Sequence, residues 1–181
     1  MRTTRTRSVL AVALAGALLA VASPAIAHAD ESPNSDTRQP RAEFYKITNL
    51  KSGKVMQAAS SANGAKVVQQ PRQVGAGLQD WFLVLDGNFV SFENFQSGLN
   101  LGIDGASTAN GAAAITANGS GDANQDWLRD EDTYAGEYFA LRNRKSGRCL
   151  GVSGASTANG AQVAQFACDS SDTNQGWKLS N

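Results

Sequence analysis

Three short motifs constrain this chain more than anything else in it. They are Gln79-Asp80-Trp81, Gln125-Asp126-Trp127 and Gln175-Gly176-Trp177, spaced 46 and 50 residues apart and holding all three tryptophans. An Asn-Gly pair precedes each, at Asn63-Gly64, Asn110-Gly111 and Asn159-Gly160. Further upstream a Ser-Gly pair recurs at Ser52-Gly53, Ser97-Gly98 and Ser146-Gly147, each following an asparagine, Asn49, Asn94 or Asn143. Self-similarity at a near-constant period dictates architecture, because a unit too small to bury its own apolar face must pack on its copies. The chain is three copies of one unit, at roughly residues 43–85, 86–133 and 134–181.

Each copy reads as four short strands. In the third, Tyr138 to Asn143 is aromatic and aliphatic, Ser146-Gly147 is a turn, and Cys149 to Val152 is a second strand. Asn159-Gly160 then reads as a two-residue hairpin turn, since both residue types tolerate a positive φ. Gln162 to Phe166 is the third strand and Trp177 opens the fourth. No window carries an apolar stripe at helical spacing, and glycine interrupts every candidate. A propeller also repeats four-stranded units but needs about four to eight of them. Three units close better as a β-trefoil, an all-β fold with a six-stranded barrel and a cap of three hairpins, which leaves no free sheet edge. Trp81, Trp127 and Trp177 are expected in its core, each ring burying about 200 Å². Gln79 and its two counterparts are expected to satisfy loop backbone groups.

The first 29 residues belong to a different class. Arg2, Arg5 and Arg7 precede an apolar run from Val9 to Val21, and Ala25-Ile26-Ala27-His28-Ala29 closes it. That is a secretory signal peptide, cleaved after Ala27 or Ala29, and the run is shorter than the roughly 20 apolar residues that span a bilayer. The protein is expected outside the cell, with no membrane attachment after cleavage. Residues 30–42 are polar and unpatterned, a disordered leader. Without the signal the chain carries 13 basic and 16 acidic residues, a balance that disfavours nucleic acid. Cys149 and Cys168, 19 apart in an exported chain, read as a disulfide. Two thiols and one histidine at the cleavage point do not make a metal site, and no cofactor is expected.

The run from Arg148-Cys149-Leu150-Gly151 through Asn159-Gly160, then Phe166-Ala167-Cys168 and Asn174-Gln175-Gly176-Trp177, resembles the ricin B-type β-trefoil lectins. These are also classed with the family 13 carbohydrate-binding modules, and the likeness here is to the secreted bacterial type. It covers about residues 43–181. The Cys149 to Cys168 spacing is also similar to that family's disulfide within one repeat.

The resemblance implies a shallow sugar pocket in each repeat. An Asp follows the Cys-Leu pair, a ring stands two residues before the second Cys, and an Asn-Gln pair opens the Gln-x-Trp motif. Carried onto this chain, the third repeat keeps Phe166, Asn174 and Gln175, with Gly151 where the carboxylate belongs. The second keeps Asn124 and Gln125 only, with Gly102 and Ala117 at the other positions. The first has Gln57, Gln70 and Leu78. No repeat is complete. A charge-assisted hydrogen bond is worth about 1.5–3 kcal/mol, so its loss weakens binding roughly ten- to a hundredfold. Asp104 is a candidate replacement if its strand continues past Gly102, and Asp169 and Asp172 lie in the loop beside Phe166. Phe166 itself serves equally well as packing beside the disulfide.

Three classes of function follow. The first is a secreted carbohydrate-binding module with weak sites, best in the third repeat, acting on a polysaccharide or glycan. The second is a trefoil that has lost sugar binding and contacts a secreted protein partner or a protease through its loops. The third, an enzyme, is disfavoured, because nucleophilic systems that need a histidine are unavailable. The acidic run Asp130-Glu131-Asp132 reads as a solvated connector rather than a catalytic pair.

Overall fold

The computed structural model describes residues 43–181. The expected signal peptide (1–29) and leader (30–42) lie outside the described residues. The repeat unit is β1 (Phe44–Asn49), β2 (Val55–Ala58), β3 (Ala65–Gln70) and β4 (Trp81–Asp86). It recurs as β5 (Phe89–Asn94), β6 (Asn100–Ile103), β7 (Ala114–Ala117) and β8 (Trp127–Asp130). The last copy is β9 (Phe139–Asn143), β10 (Cys149–Val152), β11 (Val163–Phe166) and β12 (Gly176–Ser180).

The first and last strands of each unit pair in a closed antiparallel ring, β1–β4–β5–β8–β9–β12 and back to β1. That is the six-stranded barrel. The hairpins β2–β3, β6–β7 and β10–β11 close one end. They meet through β3–β7 and single bridges at Val68–Gln162 and Ala113–Ala164.

Trp81, Trp127 and Trp177 are fully buried, with Ile47, Phe92 and Leu141 from the first strands and Met56, Leu101 and Leu150 from the hairpins. Each indole does two things. Its ring fills the barrel, and its N–H donates to a hairpin carbonyl: Met56 O (3.3 Å), Leu101 O (3.2 Å) and Leu150 O (2.8 Å). An indole N–H buried without an acceptor costs about 1–3 kcal/mol, so the bond fixes where the cap sits on the barrel.

The Asn-Gly pairs behave differently from the expected two-residue turn. The hairpin loop between Val152 and Val163 is long, and only the glycine of each pair has a positive φ. The reason is tertiary. Gly64 N donates to Thr116 O (2.7 Å), Gly111 N to Gln165 O (2.7 Å) and Gly160 N to Gln69 O (2.9 Å), so each loop docks on a neighbouring hairpin. The three loops close the cap as a triangle.

The recurrent asparagines do similar work on the barrel. Asn49 donates to Asn174 O (2.8 Å), Asn94 to Leu78 O (3.1 Å) and Asn143 to Asn124 O (2.9 Å), while each Oδ1 accepts the N–H of Ser52, Ser97 or Ser146. One buried amide thus ties a Ser-Gly turn to the Gln-x-Trp loop of the neighbouring repeat around the ring. The motif asparagine therefore joins two segments distant in sequence.

Candidate functional site

In the third repeat, β10 and β11 pair with Cys149 opposite Phe166, and a disulfide joins Cys149 to Cys168 at a Cα–Cα distance of 4.9 Å. The bond holds the chain where it leaves β11. Phe166 sits at that exit with its ring partly exposed, forming a wall shared by two hollows. One hollow, of about 310 Å³, is lined by Phe166, Val152, Gly154, Asp172 and Asn174. The other is more open, about 500 Å³, and runs past Asn110, Cys168, Asp169 and Asp172.

The loop 167–175 that shapes both is heavily hydrogen-bonded. Gln175 donates to Ala167 O (3.0 Å) and accepts from Asp169 N (3.1 Å). Asp172 caps the short turn Thr173–Gln175 by accepting from Asn174 N (3.2 Å). Asp169 accepts from the Ser171 N–H (2.9 Å) and hydroxyl (2.6 Å), which hold its carboxyl below the usual range and keep it charged. Tyr134 donates its hydroxyl to Asp172 O (2.9 Å) and Asp169 O (3.2 Å). Asn110, from the second repeat, accepts from Ala167 N (2.8 Å). The site is assembled from the second and third repeats.

The glycine at 151 is part of this arrangement. A Cβ there would lie 2.7 Å from Asn174 Oδ1 and 3.0 Å from Gln175 Cγ. Asn174 occupies the space a side chain at 151 would need, and its Oδ1 accepts from Val152 N (2.9 Å). That bond orients the amide, leaving Nδ2 as the donor end.

The other sequence candidates fall elsewhere. Gln125 donates to Asn118 O (2.8 Å), and its Oε1 takes Asn100 Nδ2 (3.2 Å) and Ser120 N (3.3 Å). Gln79 likewise donates to Pro71 O (2.9 Å) and Gln57 Oε1 (2.8 Å). All three motif glutamines therefore hold their loops. Asn124 points Nδ2 at Ile103 O (3.4 Å), the reverse of Asn174, and Ala117 offers no ring.

Asp104 is not on a continuing strand. β6 ends at Ile103, and Asp104 opens a tight turn in which Gly105 (φ 57°) and Ala106 (φ 49°) are both left-handed. Asp104 is thus an exposed turn residue rather than a strand residue. The acidic run is partly neutralised, with Asp130 on Arg142 (3.3 Å) and Glu131 on Arg129 (2.7 Å).

One contributor, Tyr134, escaped sequence reasoning. Tyr134 has no aromatic counterpart in the other repeats, and that departure from the pattern was its only signal. Burial, together with the charges of Asp172 and Asp169, pushes the Tyr134 hydroxyl up to about 12. The folded state therefore holds this proton more tightly than the unfolded chain. Its contribution is complete below about pH 10 and is lost as pH rises toward 12. We expect the 167–175 loop to loosen in that window, read as quenching of a fluorophore placed at Ser170. Tyr134→Phe should abolish the alkaline step, and an unchanged step in that variant would disprove the assignment.

Among the described residues no three His, Cys, Asp or Glu side chains gather to hold a metal, and no helix is long and apolar enough to cross a membrane. A family model described as the ricin-type β-trefoil lectin domain matches residues 43–177. No curated protein matches the chain. Among solved structures, a designed threefold-symmetric protein, ThreeFoil, is 34% identical with a TM-score of 0.72, over 76% of this chain and 98% of its own. An exo-β-1,3-galactanase from Clostridium thermocellum is 31% identical with a TM-score of 0.71, over 77% of this chain but only 30% of the enzyme. A ricin B-like lectin from Macrolepiota procera, solved with lactose, is 24% identical with a TM-score of 0.68, over 77% of this chain and 96% of the lectin, and shows the fold alone. By its threefold barrel, its Gln-x-Trp core and this family match, the chain belongs to the ricin-type β-trefoil lectin family.

Proposed function

We propose that this protein is an exported carbohydrate-binding module whose working site is the hollow beside Phe166, and that it acts by binding rather than catalysis. One observation carries the reading. A partly exposed aromatic ring, a carboxylate and an amide line the same hollow, at Phe166, Asp172 and Asn174. The ring stacks on the C–H face of a sugar, Asp172 accepts from its hydroxyls in place of the absent acid at 151, and Asn174 Nδ2 donates. Ionised acceptors make the stronger bonds to hydroxyls. Asp172 already accepts one backbone N–H, so the site is weak and gains from avidity on a repeating polymer. The lectin solved with lactose shows the same fold holding a sugar.

The test is a glycan array followed by calorimetry, with Phe166→Ala as the variant. We expect at least tenfold weaker binding with thermal unfolding shifted by only a few degrees. Unaltered affinity in that variant would remove the ring from the site.

A second reading rests on a different surface. Phe44 and Phe82 of the first repeat and Phe95 of the second cluster edge-on or tilted at centroid distances of 5.5–6.5 Å, with Phe44 and Phe95 43% and 51% exposed. The matching rings in the other repeats are covered by cations, Phe89 by Arg144 and Tyr138 by Lys178. A module docking a secreted protein through this apolar face would be captured by that protein regardless of free sugar. Loss of capture in Phe95→Ser, with glycan binding intact, would assign the face.

A further inference from the structure

The hollow beside Phe166 does not end at the disulfide loop. It shares Phe166, Asp172 and Gln175 with the open hollow, which shares Cys168, Asp169, Ser170 and Gln175 with a third of about 230 Å³. That third hollow lies on the far side of the loop, against Tyr134, Asp130 and Arg142. Three adjoining hollows with shared walls therefore line up from Val152 past Phe166 and Cys168 to the start of the third repeat. The middle of this row is firm, because the disulfide, the Tyr134 hydroxyl and Gln175 all hold the loop it crosses.

Resting on the sugar-binding reading above, we propose that this row is a cleft for several residues of one glycan chain, and that it selects uncharged or amino-bearing chains over acidic ones. The shared walls of the adjoining hollows carry the first part, since a single sugar on Phe166 leaves the Tyr134 end unused. The charges lining the row carry the second. Asp130, Asp169 and Asp172 line it, and among the described residues the cation on its walls, Arg142, is paired with Asp130 at 3.3 Å. The next cation, Arg148, is turned to Thr108 O (2.7 Å) and Asn110 Oδ1 (3.5 Å). Asp169 stays ionised because Ser171 donates to it twice. A uronate or sialic carboxylate placed a few ångströms from one such group loses about fivefold in affinity, and two such approaches multiply.

The test is calorimetry on the purified protein with galactose, xylose and glucosamine, each as monomer and tetramer, and with tetragalacturonate. At least one uncharged or amino tetramer should bind about tenfold or more tighter than its monomer, and tetragalacturonate at least tenfold weaker than the galactose tetramer. Arg142→Ala should weaken the tetramer severalfold and leave the monomer unchanged. Phe166→Ala should weaken both. Asp169→Asn should let tetragalacturonate bind severalfold better, a gain that mere loss of structure does not give. Equal affinity for monomer and tetramer, or for acidic and uncharged tetramers, would overturn this inference while leaving the single-sugar reading in place. Absence of binding to every sugar would overturn both.

Discussion

Trp177→Ala should destabilise the protein by about 3–5 kcal/mol, a cost typical of truncating a fully buried large aromatic side chain. Two losses combine. The ring is wholly inaccessible to water, so its removal leaves a cavity at the junction of barrel and cap. Its N–H also holds Leu150 O at 2.8 Å, so the hairpin that carries the candidate site loses its tie. Domains of this size are stable by only about 5–15 kcal/mol, so a large part of the margin disappears. Trp177→Phe should show an intermediate loss, because it restores most of the packing but not the hydrogen bond. Urea unfolding followed by circular dichroism measures both. Trp81 and Trp127 occupy the equivalent places, donating to Met56 O and Leu101 O, and their alanine variants should fall in the same range. A Trp177→Ala protein within 1 kcal/mol of the parent would mean the indoles do not form the core that the threefold arrangement requires.

Removing the disulfide should cost about 3 kcal/mol, the chain-entropy value for closing a loop of this length. Cys149 and Cys168 are 19 residues apart, and between them lie the whole β10–β11 hairpin loop and Phe166. The double Cys149→Ser, Cys168→Ser variant should therefore also loosen the exit of β11. Cys149 is buried but Cys168 is exposed, so a thiol reductant can reach the bond in the folded protein. We expect reduction of the native protein to lower the melting temperature and weaken sugar binding together. Full affinity with the bond reduced would show that the strand pairing and the Asn110 contact to Ala167 N position Phe166 unaided.

Much of this architecture was legible because the repeat is regular. Every Gln-x-Trp opened a barrel strand or lay just before it, and each tryptophan went inside, since few residues bury so much apolar area. The glutamines turned out to brace their loops, as the backbone of a tight entry into the barrel demands. Asn159-Gly160 was misread as a hairpin turn because local φ preference is only half of its meaning. Its glycine N–H is directed to Gln69 O, nearly a hundred residues away in sequence. Asp104 was misplaced for a similar reason: nothing in Gly-Ile-Asp announces that the strand stops there, whereas the left-handed Gly105 and Ala106 end it.

The candidate site divides along the same line. Residue identities alone established three units, a tryptophan-centred barrel, the paired cysteines and one surviving ring, because periodicity and burial preference act within a few residues of each motif. The packed structure decided the rest. It placed Asn174 in the space where a carboxylate at 151 would stand, brought Asp172 beside Phe166, and set Tyr134 against the far side of the disulfide loop. Those relations depend on contacts between segments that no local pattern connects, and only closure of the threefold ring brings them within a few ångströms.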